Sequence, residues 1–361
     1  MNFEFSDDQQ AIKRTAREFL DARYRLEVVR ELAGSDRGFT DEQWAAIGEL
    51  GWPGVILPEA YGGLGLGAVE LIVIEEELGY ALAPTPLLST ISAALLLVAA
   101  GSDEQRRRWL EPIAAGETRA TLALYDAGQP WAPDASRLVA DAGGTLTGTK
   151  VAVPDAAGCD VLVIAGAGGR HFLVESGAPG VEITPEASLD PTRRLYRVEL
   201  EGVPAEPLAE DRGTAVELAY ATIATALAAE SVGVGQRTME MAVAYAKERT
   251  QFDRPIGSYQ AVSHQCAQML LEIEGSRSLT YGAAWALDHD PAGAVRAASM
   301  AKAYAGDAGW RVSGSALQVH GGIGFTWEHD LHFFLKRAIA NAHVFGEGQW
   351  HRERVFALAA V

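Results

Sequence analysis

Two polar segments of this 361-residue chain carry residue types that could hold a charged, planar ligand. The first is Arg249-Thr250-Gln251-Phe252-Asp253-Arg254-Pro255-Ile256-Gly257-Ser258-Tyr259-Gln260, and the second is Gln318-Val319-His320-Gly321-Gly322-Ile323-Gly324-Phe325. An arginine at a helix end with side-chain amides beside it suits a diphosphate, because its planar fork of donors matches phosphate oxygens and its charge is permanent. Glycines at 321, 322 and 324 allow positive φ and close approach of the backbone to a flat or charged ligand. Each feature also has a plain structural reading: Gly321 and Gly322 can end a helix, and Arg249 can be a solvated helix-terminal charge. A third position stands out for its isolation. Glu230 is the only charged residue in the 18 positions from Leu218 to Gly235. A carboxylate there must be hydrogen-bonded, paired or protonated, since an isolated buried charge is costly. It is either a base with an environment-raised pKa or a partner for Arg237, Arg277 or Lys302. His320 and His332 can titrate, but no second ligand stands at metal-like spacing. Glu328, His329 and Asp330 are adjacent and point different ways, which suits surface or interface roles better than a metal centre.

The elements that must position these residues follow a helical, β, helical order. Residues 1–118 read as a helical domain, opening with the capping box Ser6 to Gln9 and continuing through Ala11, Phe19 and Leu20. Segments 70–83 and 87–100 carry Ile, Leu and Val around most of their circumference, as buried helices do, with Pro53, Pro58, Pro84 and Pro86 at the connections. Residues 119–207 read as a small β-domain, from the runs at 146–150, 159–166, 171–175, 181–184 and 195–203 set between Gly, Pro and Asp turn signals. Residues 208–361 return to helix: from Arg212 to Arg249, Ser258 to Asp288 and Ala292 to about His320. One face of the second helix holds Val262, Cys266, Met269, Ile273 and Thr280, and one face of the third holds Ala298, Ala301, Ala305, Ala308 and Val312. Small residues on such faces permit the close packing of a four-helix bundle.

Bulk properties narrow the partners. The formal net charge of −18 repels nucleic acid and an anionic membrane surface. Two cysteines far apart, Cys159 and Cys266, imply no disulfide framework and fit a reducing cytoplasm. The first ten residues lack the pattern of a signal peptide, and no apolar run approaches the ~20 residues that cross a bilayer.

Taken together, the motifs resemble the acyl-CoA dehydrogenase family. Residues Arg249 to Gln260 are similar to its Arg-x-Gln-Phe-Gly-x-Pro-Ile-x-x-Phe-Gln signature, and Gln318 to Glu328 to its Gln-x-x-Gly-Gly-x-Gly segment. Pro58-Glu59-Ala60-Tyr61-Gly62-Gly63-Leu64-Gly65 resembles the family's Pro-Glu-x-Tyr-Gly-Gly-x-Gly turn, and Thr147-Gly148-Thr149-Lys150 its Asn-Gly-x-Lys hairpin. Four motifs in order over nearly the whole chain are far more specific than one glycine cluster. The resemblance implies a mainly α fold: an N-terminal helical domain, a small β-barrel or sandwich domain and a C-terminal four-helix bundle, with FAD between the β-domain and the bundle. It further implies an acyl-CoA substrate, electron-transfer flavoprotein or a similar acceptor, and a dimer or tetramer. By carry-over, Arg249 and Gln251 would contact the FAD diphosphate across a subunit interface and Phe252 would pack near the adenine end. Gln318, Gly321 and Gly322 would approach the neighbouring chain's cofactor.

The family's reaction takes an α-proton while a hydride leaves the β-carbon for the flavin, so it needs a carboxylate base. Aligning Lys336-Arg337-Ala338 with the family's Arg-Asp-Ala segment puts Phe345 at the usual Glu position, Gly346 at the Gly and Glu347 one place late. The alternative base position, on the first bundle helix, falls on Ile223. Glu347 after a rearranged loop, Glu230, or a base on another chain remain the choices. In the β-domain, Leu124-Tyr125-Asp126-Ala127-Gly128-Gln129-Pro130 stands where the family carries Thr-Glu-Pro-x-x-Gly-Ser-Asp, and Ala152 or Val153 replaces a Trp. These departures resemble two-chain members of the family acting on bulky acyl-CoA such as steroid side chains. In that reading this chain completes FAD sites while a second dehydrogenase-like chain supplies the base.

Overall fold

A computed structural model describes residues 5–129, 131–208 and 213–359, so Pro130 and Arg212 lie outside the described residues. Six helices come first: α1 (Asp7–Arg23), α2 (Leu26–Gly34), α3 (Asp41–Glu49), α4 (Ala68–Ala81), α5 (Leu87–Ala100) and α6 (Asp103–Ala114). Capping boxes begin three of them, Ser6 with Gln9, Thr40 with Gln43 and Ser102 with Gln105, each satisfying two backbone donors that a helix start leaves open. Strands β1 (Ala120–Ala123) to β8 (Glu206–Pro207) follow, then α7 (Gly213–Glu248), the short strands β9 (Thr250–Gln251) and β10 (Arg254–Pro255), and four helices. These are α8 (Gln260–His289), α9 (Pro291–His320), α10 (Leu331–His343) and α11 (Gly348–Ala359). The chain has the expected order: a helical N-terminal part, a middle β part and C-terminal helices.

Two compact units organise these elements. One comprises residues 31–67 and 84–223. Its strands form two four-stranded sheets, in the orders β1-β4-β5-β8 and β2-β3-β7-β6, where β2 is Tyr125–Asp126, β3 Thr145–Pro154, β4 Val161–Ala165, β5 His171–Glu175, β6 Val181–Glu186 and β7 Leu195–Pro204. Among the described residues, only the β1–β4 pairing in these sheets is parallel. Leu146, Val153, Leu162, Ile164, Phe172, Val198 and Leu200 belong to one buried apolar cluster of this unit. The segment Thr147-Gly148-Thr149-Lys150, likened to a hairpin, lies inside the continuous strand β3 at a register shift between Leu146 and Gly148. A bulge of this kind bends a strand without a turn.

The other unit comprises residues 1–30, 68–83 and 224–361. Ala301, Ala305 and Val312 of α9 meet Met269 and Ile273 of α8, with Val262 and Cys266 partly buried against them. A missing side chain likewise lets α7 approach α4: a Cβ on Gly233 would come within 1.9 Å of the Glu76 carbonyl oxygen. Helix α4 holds a feature that the apolar pattern hid, three consecutive buried glutamates, Glu75, Glu76 and Glu77. Glu76 accepts from Lys13 at 3.2 Å and from Tyr281 at 2.9 Å, and Glu77 accepts from Arg17. Helix α7 contains a stretch long and apolar enough by composition to cross a membrane, contrary to the sequence expectation, but 94% of that stretch is buried within the protein. That is the state of a core helix.

Candidate functional site

The end of α7 turns into a two-stranded hairpin, with Arg254 paired to Gln251 and Pro255 to Thr250. Its two loop residues, Phe252 (φ 52°) and Asp253 (φ 64°), both take positive φ, the geometry whose twist matches a tight hairpin. Phe252 is thereby held at the tip with 87% of its surface exposed. The Arg254 guanidinium lies 3.9 Å from the Tyr259 ring centre, and the Tyr259 hydroxyl donates to the Gln251 carbonyl at 3.2 Å. The Ile256 amide donates to the Arg249 carbonyl at 2.8 Å. A rigid frame therefore presents exposed Arg249, Gln251 and Phe252. Arg249 has no ion-pair partner among the described residues.

The second segment starts where α9 stops. Gly321 takes φ 63° and ψ −143°, a region essentially reserved for glycine, and the chain continues as a 3₁₀ turn over Gly321–Phe325. Nothing lies within 4 Å of where a Cβ would stand on Gly321 or Gly322, so their backbone is open to an incoming group. Gln318, one turn earlier, is exposed. The two segments meet: the Tyr245 ring, one turn before Arg249, stacks on His320 at 4.6 Å and 21°. His320 is buried, its Nδ1 is 2.8 Å from the Ala316 carbonyl, and burial lowers its pKa below the ordinary histidine value. It therefore acts as a structural spacer. One end of the bundle thus gathers Arg249, Gln251, Phe252, Gln318, Gly321 and Gly322. A permanent cation, the exposed side-chain amides of Gln318 and of Gln251, whose Nε2 also donates to the Thr250 carbonyl at 2.9 Å, and open glycine backbone make a donor set that fits a diphosphate.

The two candidate bases sit elsewhere. Glu230 is 2% exposed in the bundle core, and its Oε1 is 2.5 Å from Arg337 Nη1. The pairing anticipated with Arg237, Arg277 or Lys302 is made instead with Arg337, from the segment aligned with the family's Arg-Asp-Ala. Arg277 turns to Glu76 and Glu274, and Lys302 to backbone carbonyls. Glu347 is exposed just ahead of α11, with its carbonyl accepting from the His351 amide at 3.2 Å. Phe345, which the sequence alignment set at the family's base position, is 9% exposed with φ 57°. The turn bearing Glu347 is tied to Lys302, which stands 19 residues before Gly321 on α9, about 28 Å at 1.5 Å per residue. A single chain therefore does not bring Glu347 to its own Arg249 and Gly321.

In the β part, Lys150 is fully buried, with Nζ 2.5 Å from Asp126 Oδ1 and 2.8 Å from Ser136 Oγ. Burial pulls the Lys150 pKa below the ordinary lysine value, with Asp126 opposing that pull. Asp126 also accepts from the Arg137 amide at 2.6 Å, so the segment beginning at Leu124 is organised around this buried pair. The sequence offered Lys150 and Asp126 as motif positions; their pairing across 24 residues was visible only in the fold.

Comparison with known proteins decides the family. Residues 6–117 match the acyl-CoA dehydrogenase N-terminal domain, and residues 219–358 match the acyl-CoA dehydrogenase C-terminal domain. Acyl-CoA dehydrogenase IpdE2 of Mycobacterium tuberculosis is 32% identical over 343 residues, covering 94% of this chain and 93% of that protein. The chain belongs to the acyl-CoA dehydrogenase family. As a member, it is a flavoprotein oxidoreductase of lipid metabolism by family, with FAD the family's typical cofactor. Among solved structures, the Tcur3481-Tcur3483 steroid ACAD variant superposes with a TM-score of 0.88 at 31% identity, covering 98% of both chains. The ChsE4-ChsE5 complex of Mycobacterium tuberculosis gives 0.90 at 28% identity, covering 100% of this chain and 99% of that one.

Proposed function

We propose that this chain carries out FAD-dependent α,β-dehydrogenation of an acyl-CoA thioester, with Glu347 as the base. The observation that carries the reading is the gathering of Arg249, Gln251, Gln318, Gly321 and Gly322 at one end of the bundle, joined through the Tyr245–His320 stack. Arg249 and the two amides would hold the diphosphate, and Phe252 would cover the adenine. FAD, when bound, supplies the acceptor for the β-hydride. Glu347 would take the α-proton, forming an O–H bond as the Cα–H bond breaks. The distance of roughly 28 Å along α9 supports a division in which the Arg249 end serves a cofactor whose reacting ring belongs to a neighbouring chain.

A second reading has its own support. Phe345 occupies the family's base position, and both structural relatives quoted above bear the names of two chains. In that reading, this chain completes an FAD site while a partner supplies the base. Glu347→Gln separates the two. Loss of anaerobic flavin bleaching by acyl-CoA supports Glu347 as the base, whereas full bleaching in the variant moves the base to Glu230 or to another chain.

A further inference from the structure

Lys302 and His351 are buried titratable side chains that the dehydrogenation reading leaves without a role, and both end on the turn that carries Glu347. Helix α10 stops at His343, which leaves the carbonyls of its last turn without intrahelical donors. Lys302, 1% exposed on α9, fills that gap: its Nζ donates to the carbonyls of Asn341 at 2.8 Å and Ala342 at 3.4 Å. Beyond the helix, it also donates to Gly346 at 3.0 Å. His351 on α11 is 3% exposed, and its Nε2 lies 2.9 Å from the Phe345 carbonyl. A carbonyl only accepts, so the ring proton belongs on Nε2. Between these ties, Phe345 and Gly346 both take positive φ, 57° and 95°, a bend that needs outside support at a phenylalanine. Two residues further on the packing is tight, since a Cβ on Gly348 would stand 2.8 Å from Asp307 Oδ1.

An apolar side chain would fill the space under this turn without stripping water from an amine. A lysine aimed at three carbonyls specifies where they lie. We propose that Lys302, assisted by His351, is a positioning residue that clamps the Phe345–Glu347 turn and so fixes the backbone from which Glu347 reaches its substrate. Burial brings Lys302 down to about 7, against a smaller upward pull from Asp307, and brings His351 to about 3. The partners of both side chains in this turn are neutral backbone carbonyls, so hydrogen bonds rather than ion pairs hold it. The inference rests on Glu347 serving as the base.

Lys302→Met keeps the length of the side chain and removes its donors. In hydrogen–deuterium exchange of the full chain, the amides of Phe345 to His351 should exchange roughly tenfold faster or more, with the rest of α9 and α10 unchanged. In the flavin-loaded enzyme, kcat should fall while KM for the thioester holds. His351→Leu removes the other tie and should loosen the same amides, which keeps the test open if Lys302→Met does not fold. Unchanged exchange in the turn, or acceleration spread evenly over α9 and α10, overturns the positioning role. Turnover retained by Glu347→Gln instead sinks the assignment of the base, an outcome distinguishable from a turn that fails to loosen.

Discussion

Breaking the Glu230–Arg337 pair should cost more stability than any surface change in the bundle. The two side chains are 3% and 2% exposed with charged atoms 2.5 Å apart, so removing either leaves its partner's charge in a site with almost no water. Such a loss typically costs about 3–5 kcal/mol, whereas replacing both partners with apolar residues of similar size is often neutral. Glu230→Gln, Arg337→Met and the pair Glu230→Leu/Arg337→Met form the test. Urea unfolding of the flavin-free protein, followed by circular dichroism and by tryptophan fluorescence, gives each stability from the midpoint and slope. The single variants should each lose about 3–5 kcal/mol, and the double variant should recover most of that loss. A Glu230→Gln variant within about 0.5 kcal/mol of the parent, or a double variant as unstable as the two singles summed, refutes the reasoning.

Arg249→Ala should weaken FAD retention by about 1.5–3 kcal/mol, the worth of a charged hydrogen bond, and unaltered flavin occupancy after dialysis contradicts that role. Acid sensitivity should trace in part to His351. Its folded pKa is depressed to about 3, so its contribution to stability is fully present above its unfolded value of 6.5 and is lost as pH falls from there towards 3. His351→Phe should therefore flatten stability against pH below about 6, and an unchanged slope counts against the assignment. Lys150→Met should destabilise the β unit through the unpaired Asp126, by roughly 3 kcal/mol in a two-probe unfolding curve, and a change near zero would show the pair to be dispensable.

How much of this was legible in the sequence depends on whether the information was local. The helix starts at Ser6, Thr40 and Ser102 satisfy caps three residues away, and the β runs at 159–166 and 195–203 are a short continuous apolar run and an alternating one, so both are readable along the chain. The diphosphate candidates stood out because arginine, amide and glycine types cluster within two short segments. Long-range partners were not readable. Glu230 needed a buried cation, but nothing local selects Arg337, 107 residues away, over Lys302. Glu76 and Glu77 of α4 sit in an apolar run and are tolerated there because Lys13, Arg17 and Tyr281 arrive from other helices. Backbone exceptions were equally hidden: Phe252 and Phe345 take positive φ because a hairpin and a clamped turn impose it, against the residue's own preference.

The visible absorption spectrum of the purified chain, followed by anaerobic addition of acyl-CoA thioesters, tests the central claim most directly. Flavin bands that bleach with at least one thioester are expected, with the chain alone or co-expressed with a second dehydrogenase-like chain. Protein that stays colourless in both preparations, with FAD supplied in excess, contradicts that claim.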